Sequence, residues 1–257
     1  MNTEQDAYVP GMEHEGITVF MMGTVMVEYN RKPMPLMGNP QGKMLQLFLI
    51  LLYAGDKGVL REELLDMLYG NGENTNPSGS LRAAVFRLRK TLEGCGLPEH
   101  EYIRTDSGIY RWDGGGVPVY IDAKDFEITA HKALKQRDES LLKRACGLYQ
   151  GEFMAQLAGE KWVSIIGVRY QELYFDCLRM AYYIMKENRE YTDLLELASD
   201  ACDLYPYEEC QIMKIDCLIA MKRFKDAMQV YDQAVTQYFE EPGDCRRLRK
   251  CWNGSGP

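Results

Sequence analysis

A chain of 257 residues in which 46% are hydrophobic and 11% aromatic is far from the composition that leaves a polypeptide disordered, and it is long enough for one large domain or two of ordinary size. Its formal net charge of -8 makes the body as a whole repel polyanions, so any contact with nucleic acid has to come from a local basic surface. The longest apolar run, "MLQLFLILLYA" at 44–54, is shorter than the roughly 20 residues a membrane-spanning helix needs. The first residues are acidic and lack the apolar stretch of a secretory signal, so the expected location is the cytoplasm, with no membrane partner.

After an N-terminal tail at 1–15, "GITVFMMGTVMVEYNRKPMPL" is rich in β-formers and turns at "EYNRKP", which predicts antiparallel strands. Past the breakers in "MGNP", Met44, Leu45, Leu47, Phe48, Leu51 and Leu52 recur at helical spacing and predict a mostly buried helix that stops at "AGDKG". "VLREELLDMLY" gives a second helix, "GNGENTNPSG" a loop, and "SGSLRAAVFRLRK" at 78–90 a third. "EYIRTDSGIYRW" reads as a hairpin about Asp106-Ser107-Gly108. A small sheet, three helices and a closing hairpin make an α+β winged helix-turn-helix domain over 16–115. "DGGGV" at 113–117 lacks the G-x-x-x-x-G-K pattern and has no helix directly behind it, so it reads as a linker and not as a phosphate loop.

From Asp122 strand signals vanish, and the second domain, 120–243, is expected to be all-α, with a tail at 244–257. "REYTDLLELASDACDLYP" from Arg189 is echoed by "KRFKDAMQVYDQAVTQYFEEP" from Lys222, with Tyr191 matching Phe224. That period fits tetratricopeptide-like helix pairs of about 34 residues. The matched aromatics are expected to be buried between helices.

Placed on a helix, the third segment puts Leu81, Ala84, Val85, Leu88 and Leu92 on one face at core spacing. The opposite face presents Gly79, Ala83, Phe86 and Lys90, flanked by Arg82, Arg89 and Arg87. Small residues permit close approach, and arginines fork to guanine O6 and N7 or to phosphate oxygens, which is what a major-groove helix needs. A solvated amphipathic helix has the same pattern, but charge favours the first reading: residues 80–111 hold six Lys and Arg against four Asp and Glu inside an acidic half-chain. Phosphate affinity follows this local surface, because charges beyond a Debye length of about 10 Å are screened.

Catalysis finds little support. His14, His100 and His131 sit in polar settings without a nucleophile or ligand spacing and are expected at the surface. The eight cysteines form no C-x-x-C pair. Cys210 and Cys217 share a helix face but read as small buried hydrophobes, not as a metal pair. Glu62-Glu63 and Glu208-Glu209 fall where acidic residues favour a helix dipole. No metal, cofactor or enzymatic activity is expected.

"VLREELLDMLYG", "SLRAAVFRLRKTL" and "IRTDSGIYRW" resemble the OmpR-type winged helix as used in the Streptomyces antibiotic regulatory protein (SARP) family. "LYQGEFMAQL" at 148–157, Trp162 opening a long helix, and "QYFEEPG" resemble the bacterial transcriptional activator domain that follows it there. The resemblance implies a transcriptional regulator, an activator by family, with Ser80 to Thr91 as recognition helix, Arg87 at a base, Arg82, Arg89 and Lys90 at phosphates, and Arg104, Thr105 and Arg111 in the wing. It also implies double-stranded DNA as partner, homo-oligomers on tandem direct repeats, and RNA polymerase as a further partner, with no receiver domain in the short N-terminal tail. Two departures stand out: Asp106-Ser107 occupies the wing tip where a basic residue is common, and Phe86 replaces a small polar residue, so it either meets a thymine methyl or packs on a neighbouring subunit. The alternative is an interaction scaffold whose winged helix no longer binds DNA, and the intact basic face speaks against it.

Overall fold

The computed structural model describes residues 15–39, 41–70 and 75–240; the expected tail at 1–15, save its last residue, the tail at 244–257, and residues 71–74 of the expected loop, lie outside them. The chain divides into two compact units at Leu178/Arg179. The boundary expected near residue 120 falls within the first unit.

That unit opens with β1 (Ile17–Phe20), β2 (Met26–Tyr29) and β3 (Lys32–Pro33). β1 and β2 pair antiparallel with Val19 opposite Val27, and Asn30 and Arg31 turn the chain into β3 at φ 46° and 65°. Two consecutive residues in the left-handed region match the right-handed twist of the flanking strands, and an asparagine tolerates it well. The sheet has a fourth strand, β7 (Val119–Ile121), parallel to β1. Sequence pattern gave no sign of it, since three residues behind a proline are too few for alternation to register.

α1 (Lys43–Ala54) is buried without interruption from Leu45 to Leu52. The polar member of that run, Gln46, is satisfied: its Nε2 donates to Glu160 Oε1 at 2.8 Å and to the Gln41 carbonyl. β4 (Val59–Leu60) then leads into α2 (Arg61–Tyr69), whose Glu63 accepts the Leu60 N–H as a first-turn cap. α3 (Pro77–Glu93) follows, and β5 (Ile103–Asp106) and β6 (Ile109–Trp112) close a three-stranded wing in the order β4-β6-β5. The wing turn places Ser107 and Gly108 at φ 51° and 79°. Gly58, at φ 67°, lies where a Cβ would come within 2.4 Å of Arg111 Cγ, so no other residue fits against β6 there. Trp112 stacks on Tyr102 and meets Phe48 edge-on, joining wing and α1 in one core.

α4 (Asp122–Gln136), α5 (Glu139–Leu148) and the first part of α6 (Lys161–Asn188) complete the first unit. Asp122 is buried at the join: Oδ1 accepts the N–H groups of Met21 and Ala123, both at 2.7 Å, and Oδ2 that of Met22 at 3.0 Å. Burial pushes its carboxyl up to about 6, against the opposing pull of these donors. The "QGEFMA" segment docks on the same loop, with the Met154 N–H donating to Met21 and the Gly23 N–H to Glu152. The early helices are therefore built onto the N-terminal sheet and are not tethered to it by a free linker.

The second unit holds the end of α6, α7 (Tyr191–Leu204), α8 (Glu208–Ala220) and α9 (Phe224–Glu240). Within it Arg179 pairs with Glu209 at 2.6 Å, and Tyr182 and Lys186 both reach Asp216. Tyr191 and Phe224 are the first residues of α7 and α9, so the repeat is real in register. The expected burial is not: Tyr191 is half-buried and Phe224 is 62% exposed. The buried equivalents sit one turn later, at Leu194 and Ala227, because the inner face of each helix starts at its fourth residue and the first projects past it. Phe224→Ala should thus leave the melting temperature within about 2 °C of wild type, as surface substitutions typically change stability by less than about 0.5 kcal/mol. A drop of several degrees would place Phe224 in the core after all.

Candidate nucleic-acid interface

α3 is set by its ends. Asn76 accepts the Gly79 N–H at 3.0 Å, and Pro77 occupies the first turn, where its missing N–H is harmless. A Cβ on Gly79 would meet the Asn76 side chain at 2.5 Å, so the cap itself requires this glycine. Leu81, Ala84, Val85, Leu88 and Leu92 are all buried, the five positions that helical spacing assigns to the core.

The opposite face carries Arg82, Ala83, Phe86, Arg87 and Lys90, all exposed. Phe86 has 63% of its surface open to solvent. Arg82 Nε reaches back only to the Ser78 carbonyl at 3.3 Å. Arg87 lies toward the end of α2, where its charge opposes the rise that burial causes in the Tyr69 hydroxyl. Lys90 is held by Glu93 one turn away, at 2.9 Å.

Arg89 is different. Its Nη2 donates to the Ile103 carbonyl at 2.6 Å and pairs with Glu101 at 3.2 Å, while Nε is buried. It ties α3 to β5, a task that helical spacing gave no means of seeing. In the wing, Arg104 lies opposite Arg111 across the hairpin, and Thr105 is exposed. Arg104 Nε is held at 2.7 Å by Asp113, which also meets His100 Nε2 at 2.9 Å. The Gly115 N–H, then His100 and Arg104, hold the Asp113 carboxyl below the usual carboxylate range. His100 is thus half-buried and paired, not a bare surface histidine, whereas His131 is exposed. The hub made by Asp113 was invisible in sequence, because it depends on where the chain leaves the wing.

The described cysteines other than Cys95 are buried. Burial pushes the thiols of Cys177 and Cys210 up to about 12, which makes them poor nucleophiles and poor ligands at neutral pH. Among the described residues, no helix is long and apolar enough to cross a membrane.

An exposed, arginine-bearing helix packed on two others and flanked by a three-stranded wing is a winged helix, and the helices from Asp122 onward match a protein family. Residues 121–243 match the model of the bacterial transcriptional activator domain family. Over 92% of its length the chain also superposes on EmbR of Mycobacterium tuberculosis, solved in complex with a low-affinity phosphopeptide, with a TM-score of 0.63 at 17% identity. The chain covers 64% of that structure. No curated protein sequence matches it. The resemblance seen in the motifs thus extends to the fold, a winged helix followed by helices that match the bacterial transcriptional activator domain.

Proposed function

We propose that this chain is a sequence-specific regulator of transcription, an activator by the domain it carries, that reads double-stranded DNA with the exposed face of α3. The winged helix of 16–115 is the reading head. The helical domain of 120–243 joins copies on repeated sites, and RNA polymerase is the partner through which DNA binding changes transcription. The observation that carries this reading is the division of labour on α3: five residues of one face are buried and hold the helix in place, which leaves Arg82, Phe86 and Arg87 exposed on the other. Arg87 is the base contact, Arg82 and Lys90 meet phosphates, and Arg104, Thr105 and Arg111 follow the backbone from the wing. Arg89 fixes the angle between helix and wing more than it touches phosphate.

The test compares Arg87→Ala and Arg89→Ala on a duplex selected from a random pool and on random duplex. Losing a bidentate base contact costs about 1–3 kcal/mol, or roughly 5- to 150-fold. Arg87→Ala should lose this on the selected duplex and little on the random one. Arg89→Ala should instead lower stability by about 1–2 kcal/mol, the worth of a charge-assisted hydrogen bond, and weaken both duplexes alike. Equal loss on both duplexes for Arg87→Ala refutes the base assignment, and failure of the wild type to enrich any duplex refutes DNA reading itself.

A further inference from the structure

We propose that Phe86 reads thymine through its C5-methyl group, so that the preferred site places a thymine beside the base pair contacted by Arg87. The inference rests on the DNA-reading function of α3 and adds the chemistry of what is read.

Phe86 does nothing for the fold, since the core-facing stripe of α3 is complete without it and the ring is 63% exposed. Its neighbours on the helix surface are Arg82 one turn before, Lys90 one turn after, Ala83 at the adjoining position and Arg87 next in sequence. Ala83 is small and exposed, which leaves room beside the ring for a flat base edge. A protein surface docking on Phe86 would have to cover Arg82 and Arg87 as well, Lys90 already being held by Glu93, and leave them desolvated, which is costly without an acid for each. A DNA groove does the reverse, because its phosphates neutralise the cations while the ring enters between the backbones. Inside the major groove, thymine contributes the apolar methyl among the base edges, the others presenting donors and acceptors that a phenyl ring cannot satisfy. A phenylalanine here therefore recognises the methyl and discriminates against bases that lack it. Arg87, with a forked donor, supplies the complementary contact to a guanine edge.

The experiment uses the full chain and the duplex that it enriches from a random pool, resynthesised with deoxyuridine in place of thymine at one position at a time. This exchange removes one methyl and keeps base pairing. Wild type should lose roughly 3- to 5-fold in affinity at one or two positions, the worth of one buried methyl, and be indifferent elsewhere. Phe86→Ala should bind thymine and deoxyuridine duplexes equally, while keeping the wild-type melting temperature because the residue is exposed. Phe86→Leu should keep part of the discrimination. If wild type is indifferent to every exchange, or Phe86→Ala still discriminates, the assignment is overturned. If Phe86→Ala lowers the mass in light scattering while methyl sensitivity persists, the ring faces a second copy and the assignment again falls. Should no duplex be enriched, DNA reading fails first and takes this inference with it, an outcome distinct from enrichment without methyl sensitivity.

Discussion

Asp122→Ala is expected to lower the stability of the first unit by about 3–5 kcal/mol. Its carboxylate accepts from Met21, Met22 and Ala123, and the two methionines are buried, so truncation strands backbone donors where water cannot reach them. Each such orphan costs about 1–3 kcal/mol. Asp122→Asn keeps the shape but aims an amide N–H at one of these donors, and the loss should be slightly smaller. The two variants also differ from wild type in pH dependence. Because burial raises the folded-state pKa of Asp122 to about 6, the folded chain holds this proton more tightly than the unfolded chain. The contribution is therefore fully present below the ordinary aspartate range and is lost as pH rises through about 6. The stability gap between wild type and Asp122→Asn should widen as pH falls from 7 to 4, by up to about 3 kcal/mol, with all other titrations cancelling between the two. Chemical denaturation at several pH values measures it, and a gap that narrows toward acid would mean that the backbone donors outweigh burial and the carboxyl is ionised throughout.

This residue also marks what sequence could and could not reveal. The helix start at Asp122 was visible, because an acidic residue opens a new helical period there. Its buried role was not, because the Met21 and Met22 N–H groups lie about a hundred residues away, and only the parallel pairing of β7 with β1 brings them together. The same holds for α3. Its inner face was legible, since period and hydrophobicity decide it, and the reading of Leu81, Ala84, Val85, Leu88 and Leu92 needed no tertiary information. The outer face was legible in position but not in availability: Arg82, Arg87, Arg89 and Lys90 look alike in sequence, yet Arg89 is turned to Ile103 and Glu101 and Lys90 to Glu93. In the second unit, the offset between Tyr191 and Phe224 located the repeat correctly. Hydrophobicity alone assigned its aromatics to the core, where the helix geometry buries Leu194 and Ala227 instead.

Moving two half-sites apart by about five base pairs is expected to weaken binding of the full chain to its preferred duplex by about 10²-fold or more. A single reading head has few cations to spend on phosphate without first breaking an ion pair: Lys90 and Arg104 have to give up Glu93 and Asp113 to reach it, Arg89 is paired with Glu101, and the chain carries a net charge of -8. With two or three cations free to meet phosphates, log affinity for one copy should fall with log salt at a slope of only about -2 to -3, too shallow for tight binding by charge alone. Joining a second copy makes the second contact intramolecular and can raise affinity by about 10² to 10⁴ without a new residue touching DNA. In a tandem arrangement the half-sites repeat in the same orientation, one helical turn or about 10 to 11 base pairs apart, so that both heads meet the same side of the duplex. A five-base-pair insertion turns one half-site to the far side and removes the gain, and a ten-base-pair insertion should restore part of it. The two-copy complex should also show about twice the salt slope of a single half-site. Affinity indifferent to the five-base-pair insertion, or one chain per full site in light scattering, would mean that a single copy reads the whole site and that the helical domain of 120–243 serves some purpose other than joining copies on DNA.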